Sequence, residues 1–146
     1  MDATPEEIRT LVRRLEDAMN SRELDLLDDV VAEDFVRHCE ATPDLHVRTR
    51  EDFKQFLREN TAAFPDNVQT FHQVIVEGDL AGIWVEYEGT QTGQFGPLPP
   101  SGRKARFDFG GYLRVENGKL AELWLTWDNM SILGQLGFLP AAPGEG

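Results

Sequence analysis

The sequence predicts an α+β domain in which helices come first and a curved, mainly antiparallel sheet follows. Apolar residues recur at helical spacing up to about residue 64, and the period changes to alternation after Pro65 and Asp66. Two tight-turn pairs, Gly78–Asp79 and Asn117–Gly118, join neighbouring alternating segments as hairpins. Helices followed by a run of strands are typical of the α+β class.

The first half of the chain predicts three helices. The first begins at Thr4, whose hydroxyl is placed to form a capping box with Glu7. A second, shorter helix opens at Ser21, and a third begins at Thr49. Their apolar stripes are Ile8, Leu11, Val12, Leu15 and Met19; Leu24, Leu27, Val30 and Val31; and Phe53, Phe56, Leu57 and Phe64. The short apolar piece 35–38 fits either a strand or the end of the helical unit.

Four alternating segments follow, and they predict strands at 68–77, 80–88, 104–115 and 120–127. The stretch 93–102 carries three glycines and three prolines, which predict a long and stiff loop between the second and third strands. A last short helix starts after Asp128 and runs to Leu136. We therefore expect one domain over residues 1–139 and a flexible tail at 140–146.

Alternation divides these strands into two faces. The face predicted to lie under the helices is almost wholly apolar, and its members are Ala81, Ile83, Val85, Tyr87, Phe107, Phe109, Gly111, Leu113, Ala121, Leu123, Leu125 and Trp127. The opposite face is mixed, yet it carries three large aromatic residues, Trp84, Tyr112 and Trp124. One explanation for aromatic residues on this face is that charged neighbours cover the rings. A homodimer interface is the interpretation we favour, because aromatic residues and arginine are enriched there.

Composition narrows the class of partner. The 146 residues include 14 basic and 26 acidic side chains, and the resulting net charge of −12 disfavours nucleic acid and membrane surfaces. The single cysteine, Cys39, excludes an internal disulfide, and the three histidines lack metal-ligand spacing, so no metal site is predicted. The sequence shows no membrane span and no signal-peptide pattern, so we expect a cytoplasmic protein. An apolar hollow with few polar groups suits a small apolar or aromatic molecule.

Several motifs, by their order and spacing, resemble the SnoaL-like polyketide (ester) cyclase family over about residues 8–139. In chain order they are Asp34 to His38, Ala63 to Asp66, Gly89 to Gly93, Pro99 to Gly102, Asn117 to Lys119, Glu122 to Trp124, Trp127–Asp128 and Leu133 to Gly137. The resemblance implies the cone-shaped fold shared with nuclear transport factor 2, a half-barrel around an internal apolar pocket. It also implies aldol ring closure with no cofactor, aided by a buried carboxylate on the last strand.

The same resemblance places uncharged side chains where the family cyclases carry catalytic groups. Leu125 stands at the acid–base aspartate, and Gly111, Leu123 and Gln91 stand at family histidines. Leucine cannot transfer a proton, so we expect no standard aldol cyclase activity. Two functions stay open. One is a cofactor-independent enzyme that cyclises, isomerises or hydrates a small apolar or aromatic substrate, and the other is a non-catalytic binding or accessory protein.

Candidate site residues follow partly from exclusion. His38 is the candidate base, because it matches a family histidine and follows the apolar pair Phe35–Val36 into the predicted core. Asp128 matches a family carboxylate and is the candidate acid or orienting group, or else the cap of the last helix. The candidate substrate-binding residues are Tyr87, Gln91, Phe107, Phe109, Leu125 and Trp127. The alternative is that His38 is structural and that the aromatic residues are plain core.

Overall fold

The computed structural model describes residues 3–139, so the predicted tail at 140–146 lies outside the described residues. In chain order the elements are helix α1 (Pro5–Ser21), a 3₁₀ helix (Leu24–Asp29), strand β1 (Val31–Cys39), helix α2 (Arg50–Ala63), strands β2 (Val68–Glu77), β3 (Leu80–Thr90), β4 (Lys104–Glu116) and β5 (Lys119–Thr126), and helix α3 (Asn129–Gln135). The predicted α+β class is confirmed.

Both long helices begin where the sequence predicts. Thr4 Oγ1 accepts a hydrogen bond from the Glu7 backbone N–H at 3.2 Å, and Glu7 Oε1 accepts from the Thr4 N–H at 3.1 Å, which completes the capping box of α1. Thr49 Oγ1 accepts from the Asp52 N–H at 3.0 Å and caps α2. The apolar stripes then pack α1 against β2 and α2 against β1.

The predicted second helix differs from the structure. Helix α1 continues through Ser21 and ends at Arg22, whose φ of 67° is left-handed, and only a short 3₁₀ helix follows. Val31, predicted to be helical, instead begins β1. Segment 35–38, which the sequence left open, is also part of β1. Its strand conformation comes from pairing with β5, a partner far away in sequence that local patterns do not show.

The five strands form one sheet in the order β1-β5-β4-β3-β2. The pairs from β2 to β5 are antiparallel, and β1 joins β5 in parallel, with Arg37 opposite Leu123 and Cys39 opposite Leu125. Asn117 and Gly118 form the predicted tight turn, and both have positive φ, at 51° and 77°, as a type I′ hairpin requires. The sheet is therefore mixed and mainly antiparallel.

The two predicted faces of β3, β4 and β5 are confirmed. Ala81, Val85 and Leu113 are fully buried on the inner face, whereas Trp84 and Tyr112 are exposed on the outer face. No helix within residues 3–139 is both long and apolar enough to cross a membrane.

Helix α1 also protects the edge strand β2. The Asn20 side chain accepts from the Gln69 N–H at 3.0 Å and donates to the Gln69 carbonyl at 2.8 Å. Arg13 donates to the Phe71 carbonyl at 2.6 Å, and Glu16 accepts from the Phe71 N–H at 2.7 Å. These contacts occupy backbone groups that another strand would otherwise pair with.

Candidate functional site

The inner face of the sheet and the helices surround a partly open cavity of about 560 Å³. Apolar side chains from every layer line it, including Leu15 of α1, Phe53 and Leu57 of α2, Ile83 of β3 and Ile132 of α3. This volume lies within the range of small-molecule sites, which are mostly apolar with a few placed polar groups. The fold therefore offers a ready site for one small molecule.

Four aromatic side chains form one continuous side of the cavity, and we call Tyr87, Phe107, Phe109 and Trp127 the aromatic wall. The rings of Tyr87 and Phe107 are stacked with centroids 4.9 Å apart, and Phe109 meets Phe107 at 6.3 Å and Trp127 edge-on at 6.3 Å. Alternation on β3 and β4, continued just beyond β5, directs all four inward. A flat ring system would find both stacking and edge contacts there.

Five of the six residues predicted to bind substrate line this cavity: the aromatic wall and Leu125. Their role in binding remains a prediction. Gln91, the sixth, lies outside the lining and is fully buried at the start of the loop between β3 and β4. Its amide nitrogen donates to the carbonyls of Gly93 (3.2 Å) and Pro99 (3.0 Å), and its Oε1 accepts from the Ser101 N–H at 3.2 Å. Gln91 is thus occupied with backbone groups of its own loop.

His38 does not point into the cavity, and the expectation that it enters the core is wrong. Successive side chains of β1 alternate, so Phe35 and Arg37 take the inner face and His38 the outer one. The His38 side chain is 46% exposed, its Nε2 lies 2.6 Å from Glu122 Oε2, and its ring stacks on Trp124 at 5.3 Å. This hydrogen bond with His38 is the main cause that lowers the pKa of the Glu122 carboxyl below its ordinary value. A base placed there cannot reach a ligand in the cavity.

Asp128 is the N-cap of helix α3. Its Oδ1 accepts from the Met130 N–H at 2.9 Å and the Ser131 N–H at 3.2 Å, and its side chain is exposed. The alternative that Asp128 caps the last helix therefore explains the position of its side chain. Asp128 is also absent from the residues that line the cavity.

Arg37 is the functional candidate that sequence reasoning missed. It lines the cavity and is only 5% exposed. Its Cζ lies 4.2 Å from the Phe56 ring centroid and 5.4 Å from that of Trp127, and Nη1 donates to Thr42 Oγ1 at 3.3 Å. Burial lowers the pKa of Arg37, although arginine stays charged at physiological pH. Strand alternation counted from the buried Phe35 would have identified it.

No carboxylate of the described protein balances the Arg37 charge. The nearby titratable group that favours its charged form, against the lowering of the Arg37 pKa by burial, is the Cys39 thiol. None of the carboxylates in residues 3–139 forms an ion pair with Arg37, and its buried Nη2 has no hydrogen-bond partner. Cation–π contacts contribute about 0.5–2 kcal/mol each. Burying a charge costs several kcal/mol, so these contacts offset only part of that cost.

Two of the amide side chains that line the cavity, Asn60 and Asn129, bond to its aromatic wall. Tyr87 Oη donates to Asn60 Oδ1 at 2.9 Å, and burial raises the pKa of Tyr87, so it stays a neutral donor. Trp127 Nε1 donates to Asn129 Oδ1 at 2.7 Å, and Asn129 in turn donates to the Ala41 carbonyl at 2.7 Å. These bonds fix the orientation of Tyr87 and Trp127 in the wall.

Leu125 lies on the cavity side of β5, as its strand position predicts. Glu59, an exposed residue of α2, is the one carboxylate among the described lining residues. Within residues 3–139 no cluster of three or more His, Cys, Asp or Glu side chains is suited to hold a metal ion. The chemistry available in the cavity is hydrogen bonding, aromatic stacking, one cation and the exposed Glu59 carboxylate at its lining.

Residues 9–136 match the family model of SnoaL-like polyketide cyclases. Among solved structures, TsrD from Streptomyces laurentii is 23% identical with a TM-score of 0.84, over 94% of this chain and 100% of that one. IdmH from Streptomyces antibioticus, provisionally assigned as a polyketide cyclase, is 30% identical with a TM-score of 0.78, over 89% and 98%. A ketosteroid isomerase-like protein from Catenulispora acidiphila, solved with trimethylamine, is 19% identical with a TM-score of 0.75, over 94% and 96%. No curated protein sequence matches.

These similarities agree with the architecture derived above, in which helices precede a five-stranded sheet and one sheet face borders a cavity. The family match extends from α1 to the end of α3 and includes every strand. The chain therefore belongs to the SnoaL-like polyketide cyclase family and has the fold of nuclear transport factor 2.

Proposed function

We propose that this chain binds a small, flat, apolar or aromatic molecule of the polyketide type in its cavity and acts on it as a cofactor-independent, cyclase-like enzyme. The aromatic wall is the observation that carries this proposal, since it offers stacking surface on one side of a cavity of about 560 Å³. The family membership of the chain supports the same ligand class. The reaction we expect is a cyclisation, isomerisation or hydration.

We expect the Asn60 amide to polarise an oxygen atom of the ligand. Asn60 lines the cavity, and its Oδ1 accepts from the Tyr87 hydroxyl, which leaves the Nδ2 amide hydrogens to donate to another group. A fixed amide donor of this kind stabilises an oxygen that gains negative charge during enolisation. With Leu125 at the acid–base position and His38 on the outer face, the proton would leave through water rather than through a strand carboxylate.

The second candidate function is a non-catalytic binding or accessory protein, and a specific observation favours it. The three polar candidates from the sequence, His38, Asp128 and Gln91, all lie outside the cavity lining. Native mass spectrometry of the purified protein would identify a copurifying molecule. Incubating that molecule with fresh protein separates the two functions, because an enzyme converts it and a binding protein returns it unchanged.

Binding in the cavity should quench the fluorescence of Trp127. The chain has three tryptophans, so the double variant Trp84→Phe and Trp124→Phe leaves Trp127 as the single reporter. We expect 1,8-dihydroxyanthraquinone, a flat tricyclic probe, to quench it saturably at micromolar concentration. The matched control, Trp124→Phe with Trp127→Phe, leaves only Trp84 on the outer face and should respond weakly. Equal quenching of both variants would show that the probe does not select the cavity.

We also propose that two copies of the chain associate through the outer face of the sheet. Trp84 is 47% exposed and Tyr112 43%, and the Tyr112 ring stacks on Trp124 with centroids 4.8 Å apart. His38 also stacks on Trp124, so these two rings and Tyr112 form one row, and Trp84 lies on the neighbouring strand of the same face. Burying these rings would supply the apolar centre that a standard interface needs.

Trp124→Glu should convert this dimer to monomers in analytical ultracentrifugation, because a carboxylate would be buried at the centre of the interface. Leu26→Glu is the matched control, since Leu26 is 48% exposed in the 3₁₀ helix and lies outside the sheet. It should leave the sedimentation coefficient unchanged. An unchanged dimer for Trp124→Glu would contradict the proposed interface.

A further inference from the structure

The one cation among the described residues that line the cavity, Arg37, has no carboxylate partner there. This is unusual within the same protein, where acidic side chains outnumber basic ones by 26 to 14. Several other cations of the described sheet and helices are paired with carboxylates. Arg114 meets Glu122 at 3.2 Å, Arg106 meets Glu86 at 2.7 Å, and the buried Lys54 meets Asp28 at 2.7 Å.

The surroundings of Arg37 are built to hold a planar cation in one place. The face of Phe56 lies on one part of the guanidinium at 4.2 Å, Trp127 contributes a second ring at 5.4 Å, and Thr42 accepts from Nη1. Aromatic faces and one hydroxyl position the group without neutralising it. The remaining donors of the guanidinium fork match the two oxygens of a carboxylate.

We propose that Arg37 binds the carboxylate of an aromatic acid whose ring system stacks on the aromatic wall. This inference rests on the proposed function, because it adds an anionic group to the ligand class proposed there. Arg37 and Trp127 border the same cavity and lie within 5.4 Å of each other, so one ligand can contact both. Asn60, on helix α2, would then meet a second oxygen of the same molecule.

The test compares two ligands that differ in one group. Anthraquinone-2-carboxylate and the neutral anthraquinone-2-carboxamide have nearly the same shape, and both can be titrated into the wild-type protein at pH 7 by calorimetry. We expect the carboxylate to bind at least about tenfold more tightly, as charge-assisted hydrogen bonds to a buried guanidinium imply. In Arg37→Met the two ligands should bind equally. Arg37→Lys should restore only part of the preference, because lysine lacks the fork.

The outcomes separate the role of Arg37 from the proposed aromatic ligand class. If the wild-type protein binds both ligands equally, the role of Arg37 is overturned while the proposed aromatic site stands. If it binds neither, the proposed ligand class fails and this inference fails with it. The wild-type comparison needs no variant, so it stays decisive even if Arg37→Met folds poorly. We expect that variant to melt no lower than wild type, because it removes an unpaired buried charge. A binding preference that persists in folded Arg37→Met would also overturn the inference.

Discussion

Gly111→Ala is expected to lower the free energy of unfolding by about 3 kcal/mol or more, at the upper end of overpacking effects. A Cβ at position 111 would lie 1.9 Å from the Trp124 carbonyl oxygen and 2.7 Å from Leu125 Cα. Both are backbone atoms of β5, which is paired on both sides and has no room to move. Urea unfolding followed by circular dichroism at a fixed protein concentration would measure the loss.

Gly110→Ala is the matched control for this prediction. The Cβ at 110 would lie 2.8 Å from Trp84 Cε3, but the Trp84 ring is half exposed and can rotate away. We expect a loss of about 1 kcal/mol, the cost of a displaced rotamer. Equal losses for the two variants would contradict the view that the close approach of β4 and β5 excludes a side chain at 111.

This geometry bears on the sequence resemblance, which aligns Gly111 with a family histidine. A Cβ at position 111 would lie 1.9 Å from the Trp124 carbonyl oxygen, so no side chain fits there without a shift of the sheet. A histidine introduced at this position would therefore require a change in backbone packing, and so more than one substitution.

Local patterns predicted much of the fold. Capping at Thr4 and Thr49 depends on residues within one helical turn, so the sequence located both helix starts. Alternation along β3, β4 and β5 depends only on the period of the strand, and it assigned Trp84 and Leu125 to the correct faces. Capping and alternation are short-range signals, and both are present in the structure.

Long-range pairing explains what the sequence did not show. Strand β1 exists because residues 31–39 pair with β5 about 85 positions later, and nothing local distinguishes this segment from the end of a helix. Once β1 is a strand, Arg37 and His38 must face opposite sides. The resemblance to a family histidine therefore favoured His38, which faces outward. Arg37, the residue before it, is the one that lines the cavity.

Polar side chains next to turns explain a second difference between the predicted and the observed site. Asp128 and Gln91 were assigned to the site because the resemblance aligned them with functional positions. In the structure both satisfy nearby backbone groups, one at the start of α3 and one at the start of the loop between β3 and β4. Their local hydrogen bonds fully account for where they point.

Leu125→Asp should lower the free energy of unfolding at pH 7 by about 3 kcal/mol, and Leu125→Asn, the neutral control of similar shape, by about half as much. Leu125 packs against the core at the cavity wall, so the new carboxylate would be partly desolvated. Desolvation raises its folded-state pKa above the unfolded value of about 3.9. Arg37, on the same side of the neighbouring strand, would offset part of this penalty.

The pH dependence separates the charge from the loss of packing. Below the unfolded pKa the new aspartate is protonated in both states, so Leu125→Asp and Leu125→Asn should be similarly stable at about pH 3.5. As the pH rises through the folded pKa, the folded state resists ionisation and Leu125→Asp should lose stability relative to Leu125→Asn. Adding Arg37→Met should enlarge that loss, because it removes the one cation among the described residues that line the cavity. If Leu125→Asp instead matched or exceeded Leu125→Asn at pH 7, Arg37 would already be compensating the carboxylate completely, and the wall could hold the family's acid–base group without a loss in stability.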